Sequence, residues 1–350
     1  MFKRRTLTGL MAGAALAPFP LGAQAQPPLS RIAFGSCADQ KKPQPIWDAV
    51  LAYRPDLFIF AGDNVYGDFD DAEGAALRQA YAGAAGIDGY RRLRETIRHV
   101  AIWDDHDYGR NDGGGDFPHK GVAKQLFLDF WQEPPDSPRR RRDGLYESHV
   151  FGPPGMRVQV ILLDVRWFRS PLKPTDQRGA PGKERYLPDP DPAKTMLGPV
   201  QWAWLADELR KPAEIRLIVS STQVLAEGHG WERWGNLPLE RQRLVDVIRE
   251  SGAKGTILLS GDRHVGALYR EQPAGLPPLY EVTSSGLNMV YWAASEAGPN
   301  RLGSLYAAAN FGIVDIDWWD RRIVLGLRDE GGNPRRSVAV SFDDLGIGRS

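Results

Sequence analysis

Several protein classes are excluded by what this sequence lacks. A single cysteine, Cys37, occurs in 350 residues, so no framework of intrachain disulfides holds the fold. Neither sign of charge predominates, with 44 Lys and Arg against 44 Asp and Glu. That balance does not mark the chain for nucleic acid. No apolar run is long and continuous enough for a stable transmembrane helix, since the stretch from Leu7 to Leu21 is broken by glycine and by Pro20. No Gly-x-Ser-x-Gly element occurs, which argues against a serine nucleophile on a strand-to-helix elbow. Internal repeats and low-complexity linkers are missing too, so residues 26–350 are read as one domain.

What is present is a soluble, globular composition, 42% hydrophobic and 25% charged, in a chain long enough to bury a large core. Its 27 prolines and 38 glycines predict long, structured loops. Residues 1–25 have the form of a cleaved export signal: the basic Lys3-Arg4-Arg5, a modest apolar stretch, and Ala23-Gln24-Ala25 as the small-residue cleavage pattern. Arg4-Arg5-Thr6-Leu7 is similar to a twin-arginine signal, so the twin-arginine export machinery is an expected partner and the periplasm or exterior of a bacterium the expected location. In an exported chain a lone thiol is buried, paired with another chain or bound to metal.

Periodicity predicts an α/β fold. Strands are expected at Arg31–Gly35, 56–61, 100–103, Ile215–Ser220 and Thr256–Ser260, with helical spacing over 45–53, 72–82, 90–98, 119–131, 198–210 and 239–250. Residues 104–114 read as a loop too polar and glycine-rich to pack. The run Arg139-Arg140-Arg141-Arg142 reads as a solvated basic loop. Segments 145–151 and 156–163 read as a β pair joined by a Gly-Pro-Pro-Gly turn, and 168–194 as a long functional loop. The strands beyond residue 279 are expected to form a second, more antiparallel sheet.

Four apolar runs end in polar, glycine-punctuated turns: Gly35-Ser36-Cys37, Gly62-Asp63-Asn64-Val65-Tyr66-Gly67-Asp68, Asp104-Asp105-His106-Asp107 and Gly261-Asp262-Arg263-His264. Parallel strands ending together bring such tips to one edge, where open α/β sheets carry their ligand sites. Carboxylates and phenolates suit hard cations, while thiolate and imidazole suit softer ones. Cys37, Asp63, Tyr66 and His264 therefore make one mixed candidate site. Asp63, Asn64, Asp105 and Asp262 make a harder one beside it, with Asp63 shared. His106 is placed for general-acid work. Each piece alone is ordinary, because a Gly-Asp after a strand is usually a turn. His119 and His229 are outside candidates for the site, and Asp68 has only its proximity to recommend it.

These residues resemble the calcineurin-like metallophosphoesterase superfamily and, within it, the alkaline phosphatase D (PhoD-like) family. The matching segments are Phe34-Gly35-Ser36-Cys37, residues 61–68, Trp103-Asp104-Asp105-His106-Asp107-Tyr108-Gly109, and Ser260-Gly261-Asp262-Arg263-His264. The resemblance implies a four-layer α/β/β/α sandwich with metals at the strand C-termini. It implies ferric iron on Cys37, Asp63, Tyr66 and His264, and a second metal, typically calcium, on Asp63, Asp105 and Asp262. His106 would act as acid or position phosphate, and Asn64 would approach the phosphate. Many superfamily members supply a further histidine where this chain has Ser221-Thr222-Gln223, which leaves Gln223 as the substitute ligand to test.

The function implied is exported, metal-dependent hydrolysis of phosphodiesters and phosphomonoesters, small or polymeric, with nucleic acid engaged only as a substrate. Phospholipase D-like cleavage of phospholipid head groups is the alternative within enzymes, with Trp231, Trp234, Trp292 and Trp318-Trp319 as a lipid-facing rim. A non-catalytic metal- or phosphate-binding protein on the same fold is the alternative from another class.

Overall fold

The computed structural model describes residues 27–348, so the export signal expected at 1–25 lies outside the described residues. The first half of the chain builds strand β1 (Arg31–Gly35), helix α1 (Ile46–Tyr53), β2 (Leu57–Ala61), α2 (Ala75–Ala85), α3 (Asp88–Thr96) and β3 (His99–Ile102). Pro45 presets φ at −65° ahead of α1, and Ile46, Trp47 and Val50 make its buried face. Trp47 meets Phe58 and Phe60 of β2 at 5.7 and 6.1 Å between ring centroids. Strand–helix–strand connections leave β1, β2 and β3 parallel, as such crossovers require. Their polar C-terminal ends point the same way.

The short α4 (Asp105–Tyr108) and α6 (Pro138–Arg141) flank α5 (Lys120–Phe130). A second sheet starts with β4 (Glu147–Phe151) and β5 (Val158–Leu163), an antiparallel pair as the Gly-Pro-Pro-Gly turn predicts. The long 168–194 loop holds a two-residue ladder, β6 (Lys173–Pro174) with β7 (Tyr186–Leu187). After α7 (Gly198–Leu209) come β8 (Ile215–Ser220), α8 (Pro238–Ser251), β9 (Thr256–Ser260), β10 (Gly266–Glu271) and β11 (Leu279–Ser284). The chain then returns to the first sheet through β12 (Asn310–Asp317), β13 (Arg322–Asp329) and β14 (Pro334–Ser341).

Two six-stranded sheets result, ordered β14-β13-β12-β1-β2-β3 and β10-β11-β9-β8-β5-β4. Side-chain alternation sorts their faces. In β5, Val158, Val160 and Leu162 enter the core shared with β1 and β2, while Ile161 and Leu163 join Trp202, Leu205 and Leu244 of the helices α7 and α8. Phe60 of the first sheet packs on Trp47 and on Tyr90 of α3. The layers are helix, sheet, sheet, helix, which is the α/β/β/α sandwich.

Three expectations change. The C-terminal strands do not make a separate sheet: β12 to β14 extend the first one antiparallel, and β11 joins the second, parallel to β9. Residues 104–114 are not an unpacked loop, since they open with α4, where Asp105, Asp107 and Tyr108 are buried. The arginine run is not uniformly solvated. Arg139 is 4% exposed and spans the outer edges of both sheets, donating to the Ala101 carbonyl of β3 at 3.0 Å and pairing with Glu133 and Glu147 at 3.2 and 3.0 Å. A local charge pattern cannot reveal that one cation in four has carboxylates waiting for it.

The rims of the two sheets are stitched together beyond β1 and β11. Ser36 N–H donates to Ser284 O, and Leu287 N–H donates to Ser36 O, both at 3.1 Å. Gly62, at φ +107°, is wedged so tightly between the ends of β3 and β8 that a Cβ there would meet Asp104 Cβ at 2.6 Å and Ser221 Cβ, on the second sheet, at 2.9 Å.

Replacing Arg139 with alanine strands two carboxylates and is expected to cost about 3 kcal/mol of unfolding free energy. Arg141→Ala, on the exposed neighbour, is expected to stay within about 0.5 kcal/mol in the same urea titration. Gly62→Ala should lower the melting temperature and the bound metal together, because the clash sits at the joint between the sheets. A variant with unchanged melting would contradict that close approach.

Candidate metal centre

The strand ends acquire their geometry from backbone turns that few residues adopt. Cys37, Asp63, Asp262 and His264 have φ of 64°, 48°, 70° and 57°, in the left-handed region that penalises side chains. All four sit just beyond the C-terminal ends of β1, β2 and β9. Strain of this kind persists only where surrounding contacts impose it. Here each turn redirects a polar side chain toward a common point.

Asp63 is that point. Its Oδ2 accepts from the Tyr66 hydroxyl at 3.1 Å and faces the Cys37 thiol at 3.5 Å, while Tyr66 Oη lies 3.0 Å from His264 Nε2. Cys37, Asp63 and His264 present donor atoms that all lie within 4.8 Å of one another. Burial and the neighbouring Asp63 push both the Cys37 thiol and the Tyr66 phenol well up. Burial brings His264 down to about 4, so its imidazole is neutral and free to ligate.

A second cluster adjoins the first. Asp63, Asp105 and His106 form one group of donors within 4.8 Å, and Asp104, Asp105 and Asp262 form another. Burial and mutual repulsion hold Asp63 and Asp262 well above the usual carboxylate range. Asp105 also pays a burial penalty, yet Arg166 and His106 keep it low. Asp104 Oδ2 and Asp105 Oδ1 are buried with no hydrogen-bond partner. Crowded carboxylates with unpartnered oxygens are what a cation would complete. The donor types also differ between the halves, with thiolate and imidazole on one side and oxygen alone on the other. The residues fit metal ions on adjoining donor groups, and Asp63 belongs both to the group with Cys37 and His264 and to the group with Asp105 and His106.

Some participants were not visible in the sequence. Asp68 receives His106 Nδ1 at 2.7 Å. Burial alone would lower the His106 pKa, but Asp63, Asp105 and Asp68 push it up to about 11. With Nδ1 held by Asp68, Nε2 is the atom left to exchange a proton in the cleft. Arg166 is fully buried behind the carboxylates, with Nε donating to Asp104 at 2.6 Å and Nη1 to Glu232 at 2.8 Å. Its Nη2 lies 3.7 Å from Asp105. Arg166 lies just beyond the end of β5, outside the four strand-end segments that carried the sequence reading.

Other candidates are drawn elsewhere. Asn64 spends both amide hydrogens, on Ile102 O at 2.8 Å and Asp107 Oδ2 at 2.6 Å, and it does not line the cleft. Gln223 is buried among Tyr269, Thr283 and His229, which accounts for His229 as well. Ser221 reaches the cluster instead, donating to Asp104 at 2.5 Å. His119 packs on Phe69 and Phe117. Of the tryptophans, Trp231 lines the cleft, whereas Trp234 is fully buried against Ser220. Trp318 and Trp319 follow β12, whose far end pairs with the start of β1, so they lie at the opposite end of the sheet from the metal ligands.

The cleft above these residues has a volume of about 280 Å³ and takes in Asp63, Asp105, His106, Asp262 and His264. Among the described residues no helix is long and apolar enough to cross a membrane.

Comparison with known proteins gives the family and the fold. Residues 32–301 match the model of the PhoD-like phosphatase family. Alkaline phosphatase D of Bacillus subtilis (strain 168) is 22% identical over 186 residues, covering 47% of this chain and 30% of that protein. The chain thus aligns with about a third of this curated relative. The solved structure of PhoD superposes with a TM-score of 0.69 at 16% identity, over 91% of this chain and 69% of the other. Purple acid phosphatase PPD1 from yellow lupin seeds follows with a TM-score of 0.59 at 12% identity, over 91% and 55%. Both structures share the fold, and the family match covers well over half the sequence: the chain belongs to the PhoD-like phosphatase family.

Proposed function

We propose that the protein is an exported, metal-dependent hydrolase of phosphate esters, acting on diesters and monoesters. The observation that carries this reading is one cleft lined by Asp63, Asp105, Asp262 and His264, with Cys37 and Tyr66 against Asp63 beneath it and the His106–Asp68 pair beside them. The donor set supports ferric iron on Cys37, Asp63, Tyr66 and His264, and calcium on the all-oxygen group Asp63, Asp105 and Asp262. When bound, such ions make water acidic enough to attack and draw charge from the phosphoryl oxygens.

The side chains supply the rest. His106 gives its Nε2 proton to the departing ester oxygen as the phosphorus–oxygen bond breaks, and Asp68 keeps the ring turned for that transfer. Cations on Asp63 and Asp105 remove part of the push on the His106 pKa, leaving Asp68 as its standing partner. Asn64, with its amide hydrogens committed to Ile102 and Asp107, anchors the turn rather than the phosphate. Export rests on Lys3-Arg4-Arg5 and Ala23-Gln24-Ala25. The twin-arginine route suits a chain that must fold around its metals before leaving the cytoplasm.

Metal analysis of the purified protein, with rates on a chromogenic monoester and diester, tests the reading. Asp63→Ala is expected to lose metal and turnover together, and chelation of the parent protein to do the same reversibly. A metal-free parent that is inactive would instead support the non-catalytic binding protein. His106→Ala should keep the metal content and lower kcat at least ~100-fold, less for substrates with good leaving groups. Asp68→Asn should fall between parent and His106→Ala. Full activity in both would remove His106 from the chemistry.

A further inference from the structure

The cleft has two chemically distinct halves. Its base is the carboxylate and imidazole cluster. Its mouth is built by Arg185, Trp231, Arg263 and Tyr291, which come from four separate loops. The Arg185 guanidinium lies 5.1 Å from the Trp231 ring centre and that of Arg263 5.2 Å, while Tyr291 meets the same ring edge-on at 6.2 Å. Arg263 is 5% exposed, and its buried Nε has no hydrogen-bond partner.

This wall is held rigidly to the metal-bearing turns. Arg263 stands between Asp262 and His264 in the chain, and its Nη2 pairs with Glu296 at 2.8 Å. Tyr291 N–H donates to His264 O at 2.8 Å. The N–H groups of Arg185 and Tyr186 both donate to Gly230 O, at 3.0 and 2.7 Å, next to Trp231. Arg185 Nη1 and Tyr186 Oη converge on Asp112 Oδ2 at 2.6 and 2.8 Å. Despite this bracing the rings are not sealed in: Trp231 is half-buried and Tyr291 is 39% exposed. Two aromatic rings left open at a cleft mouth offer faces and edges on which a third ring can pack, and adjacent guanidiniums favour an electron-rich one.

We infer that Trp231 and Tyr291, flanked by Arg185 and Arg263, form a leaving-group subsite that selects phosphate esters of planar aromatic or heteroaromatic groups. This rests on the proposed phosphoesterase reading and names the part of the substrate that the metal site does not. The phosphate sits at the acidic base with its metals, and the ring it carries packs against the aromatic wall. Trp231 and Tyr291 act here as specificity residues, separate from the proton transfer by His106.

The test measures competitive inhibition of the metal-loaded, full-length enzyme by phenylphosphonate, cyclohexylphosphonate and methylphosphonate, which share an anion and differ in the group attached. Phenylphosphonate should bind about tenfold more tightly than the other two, the scale of one aromatic contact. Tyr291→Ala, which removes an exposed ring, and Trp231→Leu, which keeps apolar volume in the loop, should each shrink that ratio severalfold. Cyclohexylphosphonate binding as tightly as phenylphosphonate would overturn the subsite. So would an unchanged ratio in both variants. An enzyme that binds none of the three and cleaves no ester would overturn the phosphoesterase reading itself, a different failure from loss of the ring preference.

Discussion

Everything around the cleft depends on an electrostatic debt. Asp63, Asp104, Asp105 and Asp262 are brought close together by the ends of two sheets, and the fully buried Arg166 is set behind them. Carboxylates at such spacing repel one another and lose solvation, which is why Asp63 and Asp262 are driven up. The fold tolerates this arrangement because the sandwich over-determines it. Ser36 is tied to Ser284, Cys37 and Asp63 occupy left-handed turns, and Gly62 admits Asp104 at close range. Cations relieve the repulsion, so metal binding and the integrity of the rim are coupled.

Arg166 then has a meaning beyond a buried ion pair. Its charge keeps Asp105 ionised and spreads across Asp104 and Glu232, lowering the net negative charge on the oxygen-rich side of the site. The other side offers the Cys37 thiol and the Tyr66 phenol, both held protonated by burial and Asp63, with Arg263 and Lys42 as the positive charges acting on His264. The distinction follows from which side chains stand behind each set of donors.

Much of this was legible in the sequence, for identifiable reasons. Uninterrupted apolar runs ending in Gly-Asp turns announced β2 and β9, and the residues beyond them announced Asp63 and Asp262. What stayed hidden depends on partners distant in the chain. Asp68 is meaningful only because α4 begins by turning His106 back toward it. The destination of β12 to β14 depends on an open edge at β1 that no local pattern records. Arg139 looks like its neighbours until Glu133 and Glu147 are folded around it. Asn64's place in the motif suggested a ligand; the fold commits its amide hydrogens to Ile102 and Asp107 and leaves its Oδ1 buried without a hydrogen-bond partner. The fold alone does not dictate chemistry; the case rests on these side chains.

The proposed chemistry requires two cations that share Asp63, with Cys37, Tyr66 and His264 on one of them. Anomalous diffraction from crystals of the metal-loaded protein, recorded on both sides of the iron absorption edge, tests it most directly. One iron peak is expected within bonding distance of Cys37 Sγ, Tyr66 Oη, His264 Nε2 and Asp63. A second, non-iron ion is expected between Asp63, Asp105 and Asp262. A fully loaded protein with no metal at Asp63, or with Cys37 and Tyr66 outside the coordination sphere, would contradict it.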